Sequence, residues 1–246
     1  MPHFKVAIPA RLGSTRLPRK PLADIAGKPM VIRVAERAQA SGADEVWIAT
    51  DSVEIEAAAN SFGISVRLTS SEHASGSDRI AELTRILGWS AETIVVNVQG
   101  DEPLIAPGLI RAVALELDSH RAAVMATACH ALHDRAEFED PHAVKVVCDA
   151  AGYASYFSRA PIPYPRDGQI KALRHIGIYA YRVEFLRAFT ELPPAPTERS
   201  EALEQLRALW HGYRIAVVSS DDPPSPGVDT EQDLARVRAL FDQAER

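Results

Sequence analysis

Arg11, Arg16, Arg19, Lys20 and Lys28 fall within the run I-P-A-R-L-G-S-T-R-L-P-R-K-P-L-A-D-I-A-G-K, residues 8–28, where Asp24 is the opposing acid. The whole chain carries a formal net charge of -6, so this segment is a local inversion of sign. Such an excess attracts a compact polyanion and does not mark a generally basic, nucleic-acid-type surface. Ser14 and Thr15 add hydroxyl donors, and Gly13 lets the backbone approach a ligand closely. The segment directly follows the first apolar strand, at the edge of an α/β sheet where nucleotides bind, and reads as a phosphate-binding loop. The sequence contains no G-x-x-x-x-G-K-[ST] cradle and no G-x-G-x-x-G fingerprint. Phosphates would then rest mainly on arginine forks and a movable lysine charge.

Carboxylates supply a second chemistry. Asp101, in V-N-V-Q-G-D-E-P, follows a buried strand and a glycine. A carboxylate there is a natural anchor for Mg²⁺, which takes one or two carboxylates, waters and substrate phosphates. Asp229, in G-V-D-T before the final helix, is either a second ligand or a helix cap. The motif H-A-S-G-S-D-R, residues 73–79, places Ser75, Gly76 and Arg79 at a helix entrance. Its amides could bind an anion or the edge of a base, or Ser77 could simply be a cap. His175 reads by default as a hydrogen-bonded core residue, and Arg159 and Glu204 as surface charges. Cys129 and Cys148 form no C-x-x-C and lie in apolar stretches, as core thiols of a reducing compartment do.

The elements that must position these groups alternate through the first half. Residues 4–8, 45–49, 65–68 and 93–98 read as strands. Helices are expected from Pro29 to a stop at Gly42, from a cap at Ser52 through Asn60, from Ser77 through Leu87, and after Pro107. This order predicts an α/β fold with a doubly wound, mostly parallel sheet. Residues 143–148 and 153–158 predict a hairpin, a proline-rich run follows, and residues 175–181 return as a strand. The 143–182 segment is thus expected as a smaller hairpin or lid insertion within one domain of residues 1–246. Its aromatic residues, Tyr153, Tyr156, Phe157, Tyr179 and Tyr181, offer a dimer face. A helix over 200–211, a strand over 214–219 and a final helix carrying Leu234, Val237, Leu240 and Phe241 complete the chain. The sequence enters a strand at once and holds no apolar run of membrane-spanning length, which predicts a soluble, cytoplasmic protein with no membrane or nucleic-acid partner.

Six blocks carry a resemblance: A-R-L-G-S-T-R-L-P-R-K-P-L, N-V-Q-G-D-E-P-L, F-S-R-A-P-I-P, R-H-I-G-I-Y-A-Y-R, L-E-Q-L-R and G-V-D-T-E-Q-D-L. In this order they closely resemble the 3-deoxy-manno-octulosonate (KDO) cytidylyltransferase family, over nearly the whole chain. The resemblance implies a nucleotide-diphospho-sugar transferase-like fold, a homodimer, and conversion of CTP and KDO to CMP-KDO and pyrophosphate for lipopolysaccharide biosynthesis. It implies that Arg11, Ser14, Arg16 and Lys20 hold the triphosphate, with Arg11, Lys20, Asp101 and Asp229 catalytic. Ser75, Gly76 and Arg79, helped by Thr50 and Asp51, would frame the cytidine, and Asp101 and Asp229 would hold Mg²⁺. Gln99, Arg159, His175, Tyr179, Glu204 and Gln205 would receive the sugar acid. The competing readings are a cytidylyltransferase for 8-amino-KDO or a sialic acid, a glycosyltransferase of similar fold, and a non-catalytic nucleotide-binding module. The glycosyltransferase reading is weakened because no D-x-D motif occurs.

Overall fold

The computed structural model of the protein describes residues 3–13, 16–221 and 225–244. Strand β1 (Phe4–Ala10) lies inside the sheet, with Val6, Ala7 and Ile8 all fully buried. Val6 and Ile8 join one apolar cluster and Ala7 the other, so both faces of the strand are covered and a continuous apolar run is required. Beyond β1 the chain passes through the basic segment, a short 3-10 turn at Lys20–Leu22, and a small hairpin of β2 (Asp24–Ile25) and β3 (Lys28–Pro29). Helix α1 (Met30–Ala40) buries Met30, Val34 and Ala38 and stops where Gly42 turns to φ 82°.

Then come β4 (Glu45–Thr50), α2 (Val53–Ser61), β5 (Val66–Leu68), α3 (Gly76–Ile86), β6 (Ile94–Asn97) and α4 (Pro107–Ser119). Ser52 caps α2 as expected, its hydroxyl accepting from the amides of Glu54 and Ile55. The cap of α3 is Ser75 instead of Ser77. Ser75 Oγ accepts from Asp78 N at 3.1 Å, and the Asp78 carboxylate accepts from Ser75 N at 3.1 Å. This reciprocal box starts the helix two residues early and frees the Ser77 hydroxyl to donate to Glu204 at 2.9 Å.

The second half contains β7 (Met125–Leu132), α5 (Arg135–Glu139), β8 (Lys145–Cys148), β9 (Ala154–Ser158) and the long β10 (Ala172–Arg182). It closes with α6 (Val183–Phe189), α7 (Pro196–Glu201), α8 (Leu206–Trp210), β11 (Ile215–Ser219) and α9 (Glu231–Ala244). The helix expected over 200–211 is two helices, because Ala202 takes the left-handed φ of 51° and breaks the backbone path. The main sheet runs β11-β7-β10-β6-β1-β4-β5. β1, β4, β5 and β6 are parallel, as are β7 and β11, but β10 runs antiparallel between β6 and β7. Its first half also pairs with β8 of the β8–β9 hairpin, so residues 143–182 are continuous with the central sheet. α1 and α4 cover one face, and α3, α6 and α8 the other.

Of the aromatic residues expected at a dimer face, Phe157 and Tyr181 are buried and Tyr153, Tyr156 and Tyr179 are half-buried, while Tyr164 is 84% exposed. No described helix is long and apolar enough to cross a membrane.

One close approach joins the two central strands at the end where ligands bind. A Cβ on Gly100 would sit 2.9 Å from the Pro9 carbonyl oxygen. Backbone cannot retreat as a side-chain tip can, so Gly100→Ala is expected to cost about 1–3 kcal/mol. For a chain of this size that is a fall of several degrees in Tm, at roughly 2–4 °C per kcal/mol. An unchanged Tm in thermal denaturation would show that the loop reseats freely.

Candidate active site

A cleft of about 450 Å³ opens at the carboxyl ends of β1 and β6, where an α/β sheet presents loops and helix N-termini. Three of the five basic residues of the opening segment, Arg11, Arg16 and Lys20, line it. The other two are neutralised elsewhere: Arg19 pairs with Glu54 of α2, and Lys28 with Glu36 of α1. Ser14 lies outside the described residues.

Lys20 is the focus of the cleft. Its Nζ donates to Asp101 Oδ2 at 2.6 Å and to Asp229 Oδ1 at 3.0 Å. Arg16 Nη2 adds a second cationic group 3.1 Å from Asp229 Oδ1. Burial pulls the lysine pKa down, but the two carboxylates outweigh it, and the net shift is upward from 10.5. The ammonium therefore stays charged. Glu102, next to Asp101, is pushed up to about 7 by burial and by that neighbour's charge.

The opposite wall is the capped N-terminus of α3. Ser75, Gly76 and Arg79 line the cleft there, and Gly76 lies against the Pro9 ring, where a Cβ would be 3.3 Å away. Arg79 is 3% exposed; its Nη1 donates to Thr69 Oγ1 at 2.7 Å and its Nη2 to Asp51 Oδ2 at 2.8 Å. Thr50 is fully buried and Asp51 stands behind Arg79, so both support this wall without lining the cleft. His73, which motif reasoning passed over, also lines the cleft and is fixed by Glu82. A histidine before a serine cap carries no periodic or spacing signal.

Gln99 lines the cleft beside Asp101, while the other residues expected to receive a sugar acid sit deeper or to one side. Glu204 accepts from Ser77; burial raises its pKa and that hydrogen bond opposes the rise. Gln205 is 5% exposed and its Nε2 has no hydrogen-bond partner. Arg159 Nε donates to the Glu201 carbonyl at 2.6 Å, and its two terminal nitrogens to the carbonyls of Pro141 and Ala202. The Glu201 carboxylate accepts from Ser158 Oγ and Arg159 N, at 2.6 and 3.0 Å, so an acid absent from the motif reading anchors this arm.

His175 stands between the rings of Phe157 and Tyr179. Thr127 Oγ1 donates its single proton to the Ile178 carbonyl at 2.7 Å, so His175 Nε2, 2.9 Å from that oxygen, must be the protonated nitrogen. Burial drives the pKa of His175 down to about 3. Cys129 is buried and pushed up to about 12, which makes it an unreactive packing group.

A family model described as cytidylyltransferase matches residues 6–215. The chain belongs to the cytidylyltransferase family. It is a nucleotidyltransferase by that membership. A 3-deoxy-manno-octulosonate cytidylyltransferase from Polynucleobacter necessarius subsp. necessarius (strain STIR1) is 58% identical over 244 residues, covering 98% of this chain and 96% of that protein. A solved CMP:2-keto-3-deoxy-manno-octonic acid synthetase, complexed with CTP, superposes with a TM-score of 0.93 at 43% identity, covering 99% of this chain and 100% of that one. A nucleotidyl transferase from Methanothermobacter shares the fold alone, with a TM-score of 0.63 at 16% identity over 98% of this chain and 99% of that one.

The buried imidazole has a measurable consequence. A folded pKa near 3 against an ordinary 6.5 means that the unfolded chain takes up the proton first. This stabilisation is complete above pH 6.5 and is lost as pH falls toward 3, by about 1.4 kcal/mol per unit. Wild type should therefore lose about 2.5 kcal/mol more than His175→Gln between pH 7 and 4.5 in denaturant titrations. Equal losses in the two proteins would show that the imidazole is protonated inside the fold.

Proposed function

We propose that the protein transfers the cytidylyl group of CTP to the anomeric hydroxyl of KDO, giving CMP-KDO and pyrophosphate. The observation that carries this reading is Lys20 clasped by Asp101 and Asp229 at the mouth of a cation-lined cleft, in a cytidylyltransferase whose relatives bear the KDO name. Arg11, Arg16 and Lys20 receive the triphosphate and balance the charge that builds on the departing pyrophosphate. The capped end of α3, with Ser75, Gly76 and Arg79, receives the nucleoside.

The anomeric oxygen attacks the α-phosphorus, the bond between the α-phosphorus and the bridging oxygen breaks, and the hydroxyl proton passes to solvent. Such a transfer is catalysed mainly by positioning and charge compensation. Arg159 keeps one free N–H on each terminal nitrogen beside the carbonyl bonds described above, a pair suited to the sugar carboxylate. Gln99, Glu204 and Gln205 offer both donors and acceptors to the sugar hydroxyls, with His175 and Tyr179 on the adjoining strand β10.

Asp101 and Asp229 fit Mg²⁺, because a cationic group already rests between them and oxygen ligands suit that ion. When bound, Mg²⁺ supplies charge neutralisation at the phosphates and lowers the pKa of the attacking hydroxyl. The same reading places the reaction in the cytoplasm, ahead of lipopolysaccharide assembly, in a homodimer.

Pyrophosphate release, with CTP, UTP, ATP and GTP each paired with KDO and with N-acetylneuraminate, tests the assignment. Release is expected with CTP and KDO and is expected to stop on adding EDTA. Release only with N-acetylneuraminate would overturn the acceptor, and CTP binding without release in any pair would favour a non-catalytic module. Asp101→Asn should lower kcat by about 100-fold or more, roughly 3 kcal/mol of transition-state stabilisation, with an unchanged far-UV spectrum. A wild-type rate in that variant would remove Asp101 from the mechanism.

A further inference from the structure

Among the described residues, three buried side-chain atoms lack any hydrogen-bond partner: Asn97 Oδ1, His130 Nε2 and Gln205 Nε2. A buried polar atom left unpaired costs about 1–3 kcal/mol, so each one needs a reason. Two of the three lie on the same side of the sheet. Asn97, 3% exposed, is the last residue of β6 and stands two positions before Gln99 of the cleft lining. Strand alternation puts Asn97 on the face of Val95, the side covered by α3 and α8, while Val96 and Val98 join the cluster on the other side. Directly across the antiparallel register lies Tyr179, and the charge of Glu204 is felt at Tyr179. Glu204 is the neighbour of Gln205, whose amide nitrogen is the second orphan.

The two orphans are complementary. Asn97 presents a bare acceptor and Gln205 a bare donor, and a hydroxyl group can donate to the one while accepting from the other. A purely structural asparagine at a strand end would pair its amide oxygen with nearby backbone.

We propose that Asn97 is an acceptor-specificity residue, its amide oxygen accepting a hydrogen bond from a hydroxyl of the sugar acid on the side of the sheet where Gln205 also lies unpaired. The inference rests on the cytidylyltransferase reading above and adds to it a residue to which the resemblance assigned no role. It explains why the fold retains a desolvated amide oxygen beside the cleft: a polar group held without a partner discriminates strongly against analogues that lack its hydroxyl.

The test uses the full chain, with Asn97→Leu as the shape-matched variant and Asn97→Ala as one that cannot overpack. Steady-state kinetics should show KM for KDO at least 10-fold higher in both, with KM for CTP within twofold of wild type. Tm should be unchanged or raised in Asn97→Leu, because a stranded polar atom has been removed. Monodeoxy analogues of KDO supply a readout that needs no folded variant. Wild type should discriminate at least 10-fold against one of them, and a variant that folds should lose that discrimination. Unchanged KM for KDO, a parallel rise in KM for both substrates, or wild-type indifference to every deoxy analogue would overturn the proposal. Absence of turnover by wild type with CTP and KDO would instead overturn the functional reading beneath it.

Discussion

Two carboxylates drawn from positions 101 and 229 repel each other unless a cation sits between them, and the fold meets that constraint by bringing Lys20 between them. Three chain segments must converge on one ammonium: the turn after β1, the loop after β6, and the lead into α9. Adjacency of β1 and β6 delivers the first two. The third is delivered by apolar docking, in which Val228, Leu234 and Val237 pack on Leu17, Ile25 and Met30. A backbone bond from Val228 N to the Asp101 carbonyl at 2.9 Å locks the two acidic loops together. Surface ion pairs contribute little by themselves, so the charge cluster is a product of the docked core more than its cause.

The site divides along the sheet. The parallel strands β1, β4, β5 and β6 carry the cationic cleft and the α3 terminus. The residues proposed to receive the sugar acid, Gln99 after β6 apart, come from the end of β9, from β10 and from the α7–α8 break. Because β10 is antiparallel to β6, its early residues, His175 among them, lie toward the same end as the carboxyl end of β6. A parallel strand at that place would have carried its early residues to the far end. The left-handed turn at Ala202 has a comparable effect: by ending α7 early it lets Glu204 approach Ser77 while Gln205 and Leu206 remain buried.

Much of this was legible in the residues and some was not. The apolar run at 94–98, the proline that opens α4 and the glycine after α1 each encode local structure, and the matching elements are present. The direction of β10 was not legible, because side-chain alternation is the same in parallel and antiparallel strands. Nor was the split of the 200–211 helix, since Ala202 takes a left-handed conformation without the glycine that usually announces one. At the cleft, the basic run was plain, but which charges serve it depended on Glu54 and Glu36, acids on helices whose packing the run does not encode. The clasp of Lys20 joins residues 81 and 209 positions away, separations at which only a family resemblance, and no local pattern, pointed to a shared site.

The lateness of Asp229 in the chain bears on how the protein comes into being. During synthesis Lys20 and Asp101 emerge together with most of the nucleotide-side strands, and 128 further residues (229 − 101) must follow before the second carboxylate appears. At about 5–20 residues per second that interval is roughly ten seconds. A nascent chain in that window has half of its acidic clasp and nothing to complete it. The lead into α9 is therefore the last segment of the clasp to be made, and the carboxylate pair around Lys20 is complete only once it has docked.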